Sequence, residues 1–143
     1  ERFITINADI LTDLDLTRLI SFHEKENALI SFGVTNRPST RELLFDADLQ
    51  LKGWKNNTTG EIRMVKGVPI EKADSLKAMA YSCVTVMESS VFSLITQKGK
   101  FSLIDTYLDL ASSQRIKGFD HSGDRLVDVG KTESIALAEK LFL

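Results

Sequence analysis

The chain has 143 residues, of which 43% are hydrophobic and 27% charged, with 18 Lys and Arg against 20 Asp and Glu. These proportions suit one globular domain that buries roughly 70% of its unfolded surface, and they exclude a disordered tail and a membrane span. A formal charge of −2 offers no general attraction for a nucleic-acid polymer. One cysteine and two histidines exclude an internal disulfide and a structural zinc cluster.

Phe3-Ile4-Thr5-Ile6 reads as a strand with almost no lead-in, so the chain is expected to begin partway through a domain. No basic, apolar, cleavable run follows Glu1, and with the lone Cys83 the expected location is a reducing one, the cytoplasm. The strand ends at Asn7-Ala8-Asp9. A helix follows from about Asp15 to Glu26, with Leu16, Leu19, Ile20 and Phe22 near helical spacing and Asp13 or Asp15 as its cap. Ala28 to Val34 reads as a buried strand, and this strand–helix–strand order predicts a parallel crossover.

After the loop Arg37-Pro38-Ser39-Thr40, short apolar runs at 43–45, 50–54 and 61–65 are separated by polar turns, the pattern of an antiparallel meander. Met79 to Met87 is a long β-rich run. Ser89 to Ile95 forms a short helix. Ser102 caps another running to about Ser112, with Asp105 completing a cap-like pattern. Strands follow at Ile116–His121 and Leu126–Val129. Thr132 opens a last helix whose stripe of Ile135, Ala138, Leu141 and Phe142 is expected to pack on the sheet. The fold class is α/β with an antiparallel β insertion.

Two acids stand out. Asp9 follows an apolar strand, and α/β sheets place ligands at strand carboxyl ends. Asp128 sits between Val127 and Val129 and before Gly130. A divalent cation, most simply Mg2+, would compensate both acids if they met; otherwise each serves loop amides or a turn. Four further residues carry two readings each. Asn7 contacts substrate or satisfies strand-end amides, and Arg41 binds a phosphate or is a solvated loop arginine. Ser82 contacts a bound ligand or points into packing. Cys83 lines a pocket, or is a nucleophile for which no histidine is evident. His121 and Trp54 read as structural residues.

The segment FITINADIL at Phe3–Leu11 resembles the strand-plus-acid motif of sugar-phosphate nucleotidyltransferases. LVDVG at Leu126–Gly130, followed by a helix opened by Thr132, resembles that family's second motif, and AYSCVTV at Ala80–Val86 resembles its sugar-pocket strand. The resemblance covers essentially the whole chain and is nearest to the compact bacterial branch, including mannose-1-phosphate guanylyltransferase-like and N-acetylmuramate-1-phosphate uridylyltransferase-like proteins. It implies a Rossmann-like glycosyltransferase-A type domain. It also implies a reaction that joins a nucleoside triphosphate to a sugar 1-phosphate, giving a nucleotide sugar and pyrophosphate. Asp9 and Asp128 match the acids that hold Mg2+ in that family, and Asn7, Arg41, Ser82 and Cys83 become candidates for substrate contact.

Departures from the pattern qualify what the resemblance implies. The family's N-terminal Gly-rich loop, which cradles the triphosphate, is missing, so the chain is expected to be the C-terminal two-thirds of the domain and inactive by itself. Ala8 replaces a commoner Gly. Cys83 stands where Gly lets substrate approach the backbone, and Leu126 replaces an aromatic residue. The alternative is a non-catalytic nucleotide-sugar binding or regulatory module. A homodimer is also expected, because a sheet lacking its first units would leave apolar area bare.

Overall fold

A computed structural model describes residues 1–143. Strand β1 (Arg2–Ile6) ends in a tight turn, where the Ile10 amide donates to the Asn7 carbonyl at 3.2 Å, and a three-residue strand β2 (Ile10–Thr12) follows. Helix α1 (Leu16–Glu26) starts at Asp15, whose carboxylate accepts the Thr17 amide at 2.8 Å. It ends at Asn27, which holds a left-handed φ of 47° that asparagine tolerates. Asp13, the other candidate cap, is taken by Arg125 at 2.6 Å. Every residue of β3 (Ile30–Thr35) is buried.

The meander expected from the polar turns is β4 (Arg41–Phe45), β5 (Leu51–Asn56) and β6 (Ile62–Met64), paired antiparallel in sequence. A 3-10 turn over Ile70–Ser75 leads into β7 (Lys77–Glu88), the longest strand. Then come α2 (Val91–Leu94), α3 (Leu103–Ala111), β8 (Ile116–Asp120), β9 (Leu126–Asp128) and α4 (Ile135–Phe142). Ser102 caps α3 by accepting the Ile104 amide at 3.2 Å. Asp105 does not reach back to complete the cap; its carboxylate is bound by Arg63 at 2.5 Å.

The main sheet runs β6-β5-β4-β7-β3-β8, with β1 also on β7. Residues 85–87 of β7 pair with both β1 and β3, so these two lie on opposite edges of β7, both antiparallel to it. They therefore run parallel to each other, as a crossover demands, but with β7 threaded between them instead of in direct contact. The parallel neighbour of β3 is β8, starting at Ile30↔Ile116. A separate two-stranded ribbon joins β2 to β9, with Ile10 opposite Asp128.

Helices cover both faces. On one, Leu19 of α1 packs with Leu14, Val84 and Val86. On the other, Tyr107, Leu108 and Leu110 of α3 join Phe32, Phe45, Leu51 and Met79 in the larger core. Alternation along β7 divides its side chains between these faces. Val84 and Val86 face α1, while Tyr81, whose ring meets Phe32 edge-on at 5.3 Å, faces α3. The stripe of α4 departs from expectation: of its four residues only Ala138 is buried, and Ile135 stays 48% exposed. The helix sits beside the β2–β9 ribbon, where the Arg125 guanidinium covers the Phe142 ring at 4.9 Å, instead of lying on the main sheet. No helix is long and apolar enough to cross a membrane.

Candidate active site

The turn at the end of β1 delivers Asp9 beside the ribbon, and β9 ends at Asp128. One backbone bond joins the two segments, the Val129 amide donating to the Asp9 carbonyl at 2.8 Å, and the Gly130 amide donates to Asp128 Oδ1 at 2.9 Å within the following turn. The position a Cβ would take on Gly130 lies 2.9 Å from Asp9 Oδ2 and 3.1 Å from Asp128 Oδ1. Both carboxylates thus flank one small space that exists because residue 130 has no side chain. Both are solvent-exposed, which keeps their mutual repulsion screened. Oxygens left free by the backbone contacts are hard donors suited to Mg2+, a cation commonly held by one or two carboxylates with water and phosphate completing its shell. No group of three or more His, Cys, Asp or Glu gathers anywhere, so the donor set fits that pattern and no all-protein cage.

Asp128 also borders a cavity of about 800 Å³ on the α3 face, walled by Asn7, Arg37, Arg41, Cys83, Trp54 and Tyr107 among others. Three sequence candidates, Asn7, Arg41 and Cys83, therefore come together with Asp128 around one space. The Asn7 amide donates to the Cys83 carbonyl at 3.1 Å, which ties the end of β1 to the middle of β7. Cys83 has a φ of 57°, in the left-handed region. There the β3–β7 register slips between Phe32↔Thr85 and Val34↔Tyr81, β7 carrying the extra residues as a bulge. The backbone at 83 is thus of the kind glycine serves, while the side chain is a thiol projecting into the cavity. Burial pushes that thiol above its ordinary range; the Arg37 charge opposes the shift, and Asp9 and Asp128 add to it. A thiol so disposed is a poor nucleophile.

Ser82 does not belong to the cavity. It is fully buried on the α1 face, with its hydroxyl 2.7 Å from His121 Nε2. Strand alternation decides this, because Cys83 takes the cavity face and its neighbour must take the other. His121 Nδ1 in turn lies 3.5 Å from Asp124 Oδ2. The Ser–His–Asp order mimics a hydrolytic triad, yet Ser82 has no exposed surface and His121 only 2%. A nucleophile must reach its substrate, so the Ser82–His121 hydrogen bond is structural, in keeping with the structural reading of His121, and His121 Nδ1 and Asp124 Oδ2 make no hydrogen bond. Burial holds His121 below its ordinary range despite Asp124 and Asp120.

Trp54 is 8% exposed, belongs to the core and is covered by the Arg63 guanidinium at 4.9 Å. It is a wall and an anchor rather than an open stacking platform. Glu42, the cavity's other carboxylate, is engaged by Lys55 at 3.3 Å and by Asn57 at 2.8 Å. Arg37 was legible only as part of a loop. Its Nη2 donates to the Tyr81 carbonyl at 3.0 Å, and its Nε is buried without a partner. Only an X-Pro arginine following a buried strand, at Arg37-Pro38, hinted at it in the sequence.

No protein-family model and no curated protein matches the chain. Solved structures do. A UTP-bound UGPase from Acinetobacter baumannii superposes with a TM-score of 0.74 at 14% identity, over 99% of this chain and 50% of that one. The UDP-glucose pyrophosphorylase of the same organism gives a TM-score of 0.72 at 15% identity, over 96% and 49%. HddC from Yersinia pseudotuberculosis gives 0.68 at 17%, over 99% and 56%. The chain shares the fold of these structures. It spans about half the length of these structures, less than the two-thirds its motif positions suggested.

Proposed function

We propose that the chain carries the metal-holding and sugar-phosphate half of a sugar-1-phosphate nucleotidyltransferase. The observation that supports this most is the meeting of Asp9 and Asp128 around one space at the border of the 800 Å³ cavity. In the reaction an oxygen of the sugar 1-phosphate attacks the α-phosphorus of a nucleoside triphosphate. A new P–O bond forms, the bond to pyrophosphate breaks, and a nucleotide sugar results. Repulsion between the two polyanions opposes their approach, and Mg2+ supplies the neutralising charge when bound.

The chain's own residues position the reactants. Asp9 and Asp128 are the residues that would hold the metal. Asn7, with its backbone fixed to β7, leaves its side-chain amide at the cavity edge for a hydroxyl or phosphate oxygen. Arg41, unpaired at the mouth, contributes positive charge. Cys83 limits the depth available to the sugar. Structures of the same fold are bound to UTP or to GMP-PN, which supports a nucleotide as the second substrate. A homodimer in the cytoplasm completes the reading.

The test is pyrophosphate release by the full-length protein with Mg2+, a panel of triphosphates and a panel of sugar 1-phosphates. Asp9→Asn should lower turnover about 100-fold or more, since an electrostatic contribution of that size is typical where charge is neutralised in the transition state. Near wild-type turnover in that variant would remove Asp9 from the metal role. The second reading, a nucleotide-sugar binding module, is favoured by one feature: these 143 residues contain no Gly-rich run that could cradle a triphosphate. Saturable nucleotide-sugar binding without pyrophosphate release from any pair would decide for it.

A further inference from the structure

We infer that Arg37 is the anchor for the phosphoryl group of the substrate in the α3-face cavity, a role resting on the transferase reading only for the identity of the group attached to that phosphate. Arg37 and Arg41 are the cavity's two cationic side chains, and they differ in how they are held. Arg41 is exposed at the first position of β4 and its side chain is unconstrained. Arg37 is half-buried, and its Nη2 is fixed on the Tyr81 carbonyl. A guanidinium carries five N–H donors in a rigid plane, so fixing one edge presents the other in a defined direction.

That arrangement is costly as it stands. Arg37 forms no ion pair, and its Nε has neither solvent nor a hydrogen-bond partner. An unsatisfied buried donor costs about 1–3 kcal/mol, more when charged. Each of Arg2, Arg18, Arg63 and Arg125 has a carboxylate partner. Of the cavity's two carboxylates, Glu42 is engaged by Lys55 and Asn57, and Asp128 makes no ion pair with Arg37. The buried Nε stays behind the fixed edge, and Nη1, which has no partner in the chain, is the nitrogen open to an anion from the cavity. Its geometry suits a phosphate, which accepts a guanidinium fork through two oxygens.

Position supports the same assignment. Arg37, Cys83 and Asp128 line the same cavity, and Asp9 meets Asp128 at its border. A phosphoryl group held there by Arg37 shares the cavity with the acid pair and any cation it holds. Arg37 thereby fixes the direction from which the phosphate oxygen approaches.

The experiment uses the full-length protein and inorganic phosphate as probe, with affinities measured by calorimetry for wild type, Arg37→Ala and Arg37→Lys. Arg37→Ala should weaken phosphate binding about 10- to 100-fold, the usual span for a lost hydrogen bond to a charged group. Arg37→Lys should recover part of that loss, keeping the charge without the fork. In the pyrophosphate-release assay, Arg37→Lys should raise the KM for the sugar 1-phosphate and leave the KM for the triphosphate unchanged. Phosphate affinity equal to wild type in Arg37→Ala would overturn the assignment, as would no phosphate binding by wild type. Equal rises in both KM values for Arg37→Lys would instead mark Arg37 as a structural brace and overturn it too. Arg37-dependent phosphate binding in a protein that releases no pyrophosphate would leave the anchor standing and remove the transferase reading.

Discussion

Replacing Cys83 by Gly and by Ala should give an inverted order of stabilities. At an ordinary strand position Gly is less stable than Ala by roughly 0.5–1 kcal/mol, because it loses more freedom on folding. Cys83 is not ordinary, since its φ is 57° on the β7 bulge. An L-residue with a Cβ pays about 1–2 kcal/mol to hold that conformation. Ala keeps the cost and Gly removes it, so the difference favours Gly by about 1 kcal/mol after its entropy is subtracted. For a domain of this size that is a difference in Tm of about 2–4 °C. Urea unfolding of both variants, with equal m-values as a check that the unfolded states match, measures it directly. An Ala variant as stable as the Gly variant would show that the backbone at 83 carries no strain. Both variants also remove the thiol from the cavity, so any gain in affinity for bulkier sugar 1-phosphates should appear in both, even in the Ala variant that keeps the strain.

Gly130→Ala should leave stability almost unchanged, because the atoms its Cβ would meet are the exposed ends of Asp9 and Asp128. Mg2+ affinity, followed by calorimetry, should fall about 10-fold or more as those carboxylates are pushed apart, and unchanged affinity would mean the metal sits elsewhere. Ser82→Ala should cost about 1–3 kcal/mol by leaving buried His121 short of a partner, with no change in ligand affinity; weakened sugar-phosphate binding at intact stability would return Ser82 to the site. Burial holds both His23 and His121 below their ordinary value of 6.5. The unfolded chain therefore takes up protons that the folded chain resists, so stability is full above about pH 6.5 and declines as the pH falls below it. Urea midpoints at pH 7.5 and 5.5 check this, and a flat profile in that window would contradict it.

Much of the site could be read in one dimension because its two acids each follow or interrupt an apolar β run, where an unpaired carboxylate needs a reason. The caps at Asp15 and Ser102 were legible for a similar cause: capping is local chemistry within two residues. What escaped was decided at a distance. Residues 10–12 are too few to show a period, and β2 exists only because β9 lies beside it. The insertion of β7 between β1 and β3 changes neighbours without changing the direction of either strand, so the crossover pattern could not reveal it. Ser82 and Cys83 are adjacent in one β run, and nothing local says which of the pair faces the cavity. Arg37 sits in an unremarkable loop, and only the tertiary burial of its Nε distinguishes it.

The β2–β9 ribbon is only three residues long, yet it ties one end of the chain to the other. Any ligand bridging Asp9 and Asp128 is therefore a gauge of whether the loop between them has closed. Such a ligand stabilises the closed form by mass action, by about 2.7 kcal/mol at a hundredfold excess over its dissociation constant. Amide exchange at Leu11 and at Val127 should then slow together on binding, although almost the entire polypeptide lies between them.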